Sequence, residues 1–370
     1  MAVTAESLGH RIAQARVRAS LTQFDLATAV GLDRSSLAKI ESGTRRVTAL
    51  ELAQIAQAVG VRIESLLSEP VPAVISHRNL TDPGAPSPRI DSEVERRVEA
   101  VELLVSLDSS FHIAEVPTQP VPTNHDQAEQ LASKTRRLLG VDSNGPLTNL
   151  GRQLAPVGIL PFVVDLGADS ADAATVLLPT GAVSVINGYL APGRRRLALA
   201  HEIGHALVAD DYTVDWRIQE AAADRREAIF DVFARALLIP GEELVQQWHQ
   251  GVITDDTRST AVRLASEYRV DFSTLARRLV ELEIIDPAVA STIRSLTTTR
   301  LDIQTMGLVV PVELEPGELP PEYAQSVERL YLGETISAAR ATDLLFGTVE
   351  EADLPPLPPR SEQEIWQFAS

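Results

Sequence analysis

Apolar positions recur with a helical period through the first seventy residues. Leu8, Ile12 and Ala15 lie at i, i+4 and i+7 and predict a first amphipathic helix. Thr22 precedes a second, with Asp25 at the capping-box position and Gly31 as its stop. The run "DRSSLAKIESG" predicts a third, capped by Asp33 and ended by Gly43. Thr48 caps a fourth, whose Leu52, Ile55, Ala56 and Val59 make one apolar face before Gly60, and "IESLL" closes a five-helix set. The periodicity then stops. Residues 69–91 hold five prolines and read as a linker.

Downstream, helices are expected over Asp91–Leu107 and Gln127–Gly140. "GILPFVVDL" and "AVSVINGYL" are short, apolar and rich in Val and Ile, as strands are. A long helix is expected from about Arg217 to Leu238, stopped by Pro240 and Gly241. Residues 257–296 are helical, with "RLASEYRVDFSTLARRLVELEII" resembling a second helix-turn-helix. The tail alternates polyproline-like runs with two helices, around Ala324–Leu332 and Ser337–Phe346. The fold class expected is α+β and mostly helical. Its parts are a five-helix domain at 5–68, the linker at 69–91, a domain with a small β-sheet at 92–254 (core 151–241), a helical extension at 255–298 and a helical, Pro-rich region at 299–370.

Composition narrows the chemistry. The 370 residues contain no cysteine, which excludes disulfides, thiolate nucleophiles and cysteine-bound metals. The longest apolar run, "LAPVGILPFVV", is too short to span a bilayer and holds two prolines, and the start has no apolar signal region, so a cytoplasmic protein without membrane contact is expected. Net charge is −18, unevenly spread. Residues 1–70 hold 8 Lys+Arg against 7 Asp+Glu, leaving 25 against 44 for the remainder. An acidic body argues against general nucleic-acid coating but leaves the near-neutral N-terminus free to touch DNA.

One stretch carries the candidate chemistry. In "RRRLALAHEIGHALVADD", His201, Glu202 and His205 interrupt an apolar helix, where ionisable groups are costly to bury without partners. Positions i and i+4 share a helix face, so His201 and His205 can present two imidazole nitrogens to one metal ion. Glu202 beside them is placed as general base, the HExxH arrangement. A third ligand is sought on the next helix, where Glu220, Asp224, Glu227 and Asp231 form an acidic stripe; spacing alone leaves the choice open. The remaining histidines, His10, His77, His112, His125 and His249, have no paired spacing. For the oxyanion-stabilising group, Tyr189 and Tyr212 are near in sequence, and an arginine is an equal alternative.

"LALAHEIGHALVAD" followed by "EAIFDVFARALLIP" resembles the zinc metallopeptidases of the ImmA/IrrE type, over roughly Gly151–Asp286. The resemblance implies a zincin-like fold, a Zn2+ cofactor held by His201, His205 and Glu227, and Glu202 as catalytic base. The family usually has Asn where this chain has Asp231, which is left between orienting a ligand histidine and being a surface charge. Val185, Ile186 and Asn187 match the family's edge strand, which would hold substrate by β-augmentation. The N-terminal segment resembles the lambda-repressor-like, XRE-type helix-turn-helix through Gln23, Ala27, Gly31, Glu41 and Gly43. That resemblance implies operator binding as a homodimer, with Arg34, Ser35, Ser36 and Lys39 on the helix entering the major groove and Gln23, Arg45 and Arg46 on phosphates. Together they imply an endopeptidase that cuts a helix-turn-helix repressor and regulates transcription under stress. The alternative is a non-proteolytic regulator or antitoxin whose metal site is structural or sensory.

Overall fold

The computed structural model describes residues 4–19, 21–59, 63–67, 76–78, 88–208, 220–308, 310 and 312–358. Gly60, Tyr212, the helix start expected at Arg217 and the last polyproline residues lie outside them. The chain divides into two compact units, Met1–Pro72 and Ala73–Ser370.

The first unit holds α1 (Ala5–Arg18), α2 (Gln23–Ala29), α3 (Arg34–Glu41), α4 (Ala49–Val59) and α5 (Ile63–Leu67). Its caps are those the sequence predicts. Thr22 and Asp25 form a reciprocal capping box at α2, and Asp33 accepts from Ser36 N at α3. Gly43 has φ +72°, and a Cβ there would stand 2.6 Å from the Glu6 backbone, so only glycine fits. Ile12, Leu26, Leu37, Ile40, Ile55 and Leu66 fill the core.

The second unit is built on a four-stranded sheet: β1 (Ser76–Arg78), β2 (Ile159–Val164), β3 (Ala173–Leu177) and β4 (Ala182–Asn187), in the order β1-β3-β4-β2. β2 and β4 run parallel, and β3 is antiparallel to β4 and to β1. β2 and β4 are the strands expected from "GILPFVVDL" and "AVSVINGYL". β3 was not foreseen, because "AATVL" is short and led by alanines. β1 corrects the reading of 69–91 as a plain linker, since three of its residues join the sheet. On one face Ile159, Val163, Ala173, Ala182 and Ile186 join the core. On the other, Phe162 meets Tyr323 at 5.0 Å and Phe346 at 5.9 Å.

The helices are α6 (Pro88–Leu107), α7 (His125–Leu138), α8 (Pro192–Val208), α9 (Glu220–Leu238), α10 (Gly241–Thr254), α11 (Thr257–Glu267), α12 (Phe272–Glu281), α13 (Pro287–Arg294), α14 (Arg300–Met306), α15 (Pro321–Leu332) and α16 (Ala338–Leu344). The fold is α+β and mostly helical, as expected. The helix-turn-helix-like pair α11–α12 is scaffold: Leu275, Ala276 and Leu279 lie in the core shared with α8 and α9, and Arg278 is fully buried. The boundary expected at 254/255 therefore falls inside one core.

Buried arginines tie distant segments together. Arg136 donates to the Leu237 carbonyl at 2.7 Å and to the Asp142 carbonyl, fixing α7 to the end of α9. Arg196 at the start of α8 is wholly buried and pairs with Glu313, whose other oxygen accepts from Leu150 N at 3.0 Å. Beside it Leu314 enters the core with φ +55°. Val163 N donates to the Glu318 carbonyl at 3.1 Å and Gly317 N to the Val163 carbonyl at 2.9 Å, so this segment covers the outer edge of β2. Part of 299–370, silent in the sequence, thus completes the sheet. Removing one partner of such a buried pair strands the other. Arg196→Leu is expected to lower the stability of the second unit by about 3 kcal/mol in urea unfolding; a loss under about 0.5 kcal/mol would show that Arg269, 3.2 Å from Glu313, suffices alone.

Candidate metal centre

Helix α8 is buried from Arg195 onward, on every side. Its neighbour α9 reaches it closely because of Gly204, one residue before His205. A Cβ at Gly204 would stand 2.8 Å from Phe233 and 2.9 Å from Phe230, nearer than real Cβ contacts come. The glycine costs helix propensity but lets the two aromatic rings seat directly on the α8 backbone. Phe230 in turn lies against the His205 ring, with centroids 4.1 Å apart.

This packing carries Glu227 to the two histidines. His201 Nε2 is 3.0 Å from Glu227 Oε2 and 3.1 Å from His205 Nε2, and His205 Nε2 is 3.4 Å from Glu227 Oε1. Three donors at about 2.0–2.2 Å from one tetrahedral ion stand about 3.3 Å apart. The observed separations bracket that value, so the set fits a metal ion. Among the described residues it is the one such group of three. Burial alone would raise the Glu227 carboxyl, but the hydrogen bonds and charges of His201 and His205 outweigh it and hold the group well below the usual carboxylate range. It is ready to bind as an anion.

The neighbouring groups complete the arrangement. His201 Nδ1 lies 3.0 Å from Asp231 Oδ1, so donation there leaves Nε2 facing Glu227 and His205. Asp231 thus lies against the His201 ring, with its side chain only 19% exposed. Glu202 is fully buried on the same helix. Glu220 and Asp224 lie in the first turns of α9, and their side chains fall outside the described set.

One expectation fails. Val185, Ile186 and Asn187 were expected on an edge strand that receives substrate. They lie in β4, which is paired on both sides, with β3 and with β2, and is buried throughout. Its backbone donors and acceptors are already used, so no further strand can add there. Asn187 instead staples loops: its side chain accepts from Leu166 N and Tyr189 N at 3.1 Å and donates to the Gly167 carbonyl at 2.9 Å. Tyr189, one of the open candidates for the oxyanion-stabilising group, is exposed in the turn before α8.

In the first unit Arg34, Ser35 and Lys39 are exposed on α3, and Arg46 is exposed beyond it. Ser35 and Ser36 hydroxyls both donate to Asp33, at 2.6 and 2.8 Å, and hold its carboxyl well below the usual range. They brace the start of α3. Gln23 also has a bracing contact unforeseen in the sequence: its amide donates to Glu41 at 2.7 Å, and Arg16 holds the same carboxylate. Arg45 is half-buried and paired with Glu51 at 2.6 Å. Arg34, Lys39 and Arg46 are left as the outward-facing cations of the set.

Residues 168–280 match the family model of the IrrE N-terminal-like domain, a metallopeptidase domain, and residues 12–66 match that of a helix-turn-helix domain. A comparison with curated proteins finds no match. The chain thus joins an XRE-type helix-turn-helix domain to an ImmA/IrrE-type metallopeptidase domain, the make-up of a DNA-binding regulator that carries a protease domain. Among the described residues no helix is long and apolar enough to cross a membrane.

The geometry makes Glu227 answerable to measurement. Glu227→Ala is expected to weaken metal binding by more than the roughly 10–100-fold that loss of an outer partner costs, read by competition with a chromophoric chelator. Unchanged affinity would move the third ligand to Glu220 or Asp224.

Proposed function

We propose that the chain is a zinc-dependent endopeptidase that cuts a helix-turn-helix repressor and so releases transcription, with its N-terminal unit bringing it to operator DNA. The observation that carries this reading is the set of three ligand side chains whose nearest donor atoms lie 3.0–3.4 Å apart, beside a buried glutamate. A purely structural or sensory metal site has no need of Glu202 next to its ligands. The protein is taken to work in the cytoplasm, as a homodimer on its operator.

His201, His205 and Glu227 hold the zinc. When bound, the ion supplies a Lewis acid that makes water acidic near neutral pH and polarises the scissile carbonyl. Glu202 takes the proton from the attacking water and returns it to the leaving amine nitrogen. Asp231 keeps the His201 ring turned toward the centre. The buried walls of α8 and α9 exclude bulk water and strengthen each of these electrostatic contacts.

Arg34 and Lys39 reach base edges or phosphates from α3, and Arg46 holds phosphate from the turn beyond it. Because phosphate contacts supply much of DNA affinity, binding is expected to fall steeply with salt.

Two experiments bear on this reading. In native cells, new protein N-termini are compared between wild type and Glu202→Gln. A helix-turn-helix protein cut only by the wild type is the expected result, and it names substrate and bond. No difference with or without stress, while the variant keeps its zinc and fold, would sink the protease. Separately, Arg34→Ala with Lys39→Ala is expected to weaken an operator gel shift by at least about tenfold, each contact supplying about 1 kcal/mol or more. An unchanged shift overturns the assignment of α3.

A further inference from the structure

A histidine that binds a metal through Nε2 almost always donates its Nδ1–H to a partner that keeps the ring from turning. That partner is Asp231, at 3.0 Å. Asp231 is a carboxylate, 19% exposed, on a short side chain that can rotate between several donors. Something must hold it. One turn further along α9 stands Arg235, a cation 4% exposed within the apolar run "VFARALL".

The three nitrogens of the Arg235 guanidinium are divided in a definite way. Nε donates to Glu281 at 2.8 and 3.1 Å, and Nη2 lies 2.6 Å from Glu281 Oε1. Nη1 is left facing Asp231 Oδ2 at 3.8 Å. A carboxylate bound side-on to Nε and Nη2 fixes the plane of a guanidinium, and so fixes where Nη1 points. Glu281 is itself anchored: it belongs to α12 and stands 4.0 Å from Arg278, which is fully buried, donates to the Ile239 carbonyl at 3.0 Å and pairs with Glu129 of α7. Charges of alternating sign therefore run from Glu129 through Arg278, Glu281 and Arg235 to Asp231, which meets the His201 ring.

From this geometry we infer that Arg235, locked by Glu281, is a positioning residue of the metal centre. It holds the Asp231 carboxylate, and through it the His201 imidazole, in the orientation that metal binding needs. It touches neither the ligand atoms nor the reacting groups. The inference rests on His201 being a metal ligand, as proposed above. It also gives α12 a part in the site that its distance from the HExxH motif in sequence conceals.

The test uses the full-length chain and metal alone, with no substrate. Arg235→Gln, Glu281→Gln and Asp231→Asn are prepared singly, and Arg235→Gln is also made in the Asp231→Asn background. Zn2+ affinity is read by chelator competition, and ligand geometry by the visible absorption of the Co2+ form. Arg235→Gln is expected to weaken Zn2+ binding by about 10-fold and to shift the Co2+ bands, with Glu281→Gln moving both in the same direction. A neutral amide at 231 needs no counter-charge, so in that background Arg235→Gln should cost less than about 2-fold more. Wild-type affinity and Co2+ spectrum in Arg235→Gln, or the same fold loss in the Asp231→Asn background, overturns the positioning role. Should Arg235→Gln fail to fold, Glu281→Gln alone decides, since it keeps the cation and frees only its orientation. A wild type that binds neither metal overturns this inference together with the metallopeptidase reading; a metal-binding wild type with indifferent variants overturns this inference alone.

Discussion

The close approach of α8 and α9 is the constraint on which the candidate metal centre depends. It exists because position 204 has no side chain. Phe230 and Phe233 occupy the space a Cβ would need, and the helices settle near enough for Glu227 to meet both histidines. A methyl group there would push the aromatic rings outward and Glu227 with them. The imidazoles are buried beside Phe230, and the half-exposed Glu227 carboxylate closes the set; buried polar atoms are stable only if they satisfy one another or a shared ion. The site is thus a packing consequence before it is a chemical one.

Arginine does for this fold much of what aromatic residues do for others. Only 4% of the chain is aromatic, and three of the largest fully buried side chains are Arg136, Arg196 and Arg278. Each donates to a backbone carbonyl at the end of a remote segment and pairs, where it pairs, with a carboxylate from a third. Such clamps are directional, unlike apolar contacts, and they account for how 313–318 is held on the outer strand and α12 behind the metal centre. They also make the unit intolerant of losing a single partner, because an uncompensated buried charge is costly.

The two units use electrostatics differently. In the first, acidic groups stay local: Asp25, Asp33 and Glu51 cap helices, and Glu41 braces α1 to α2 through Arg16 and Gln23. That frees a few cations to face outward from a domain of almost no net charge. In the second, opposite charges are buried in chains, and the surplus of carboxylates lies on the surface of a strongly acidic body. A helix-turn-helix domain and a metallopeptidase-type domain can coexist in one acidic chain because each confines its charges.

Much was legible in the sequence where the interaction is local. The five N-terminal helices, their Thr22, Asp33 and Thr48 caps and the left-handed Gly31 and Gly43 follow from residues within a turn of one another. So does the pairing of His201 with His205, because i and i+4 share a helix face whatever the rest of the chain does. The choice of Glu227 over its acidic neighbours came from family resemblance, not from spacing, and it is the closeness of α9 to α8 that supports it. The sheet order, the central place of β4, the recruitment of β1 from a Pro-rich stretch and of 317–318 to the outer edge were not legible. Strand neighbours and edges depend on hydrogen bonds between segments up to 155 residues apart, such as Val163 with Glu318, and no local pattern records them. The same holds for Arg235 and Glu281: their residue types were visible, but only tertiary packing decided that Glu281 would bind Arg235 beside Asp231.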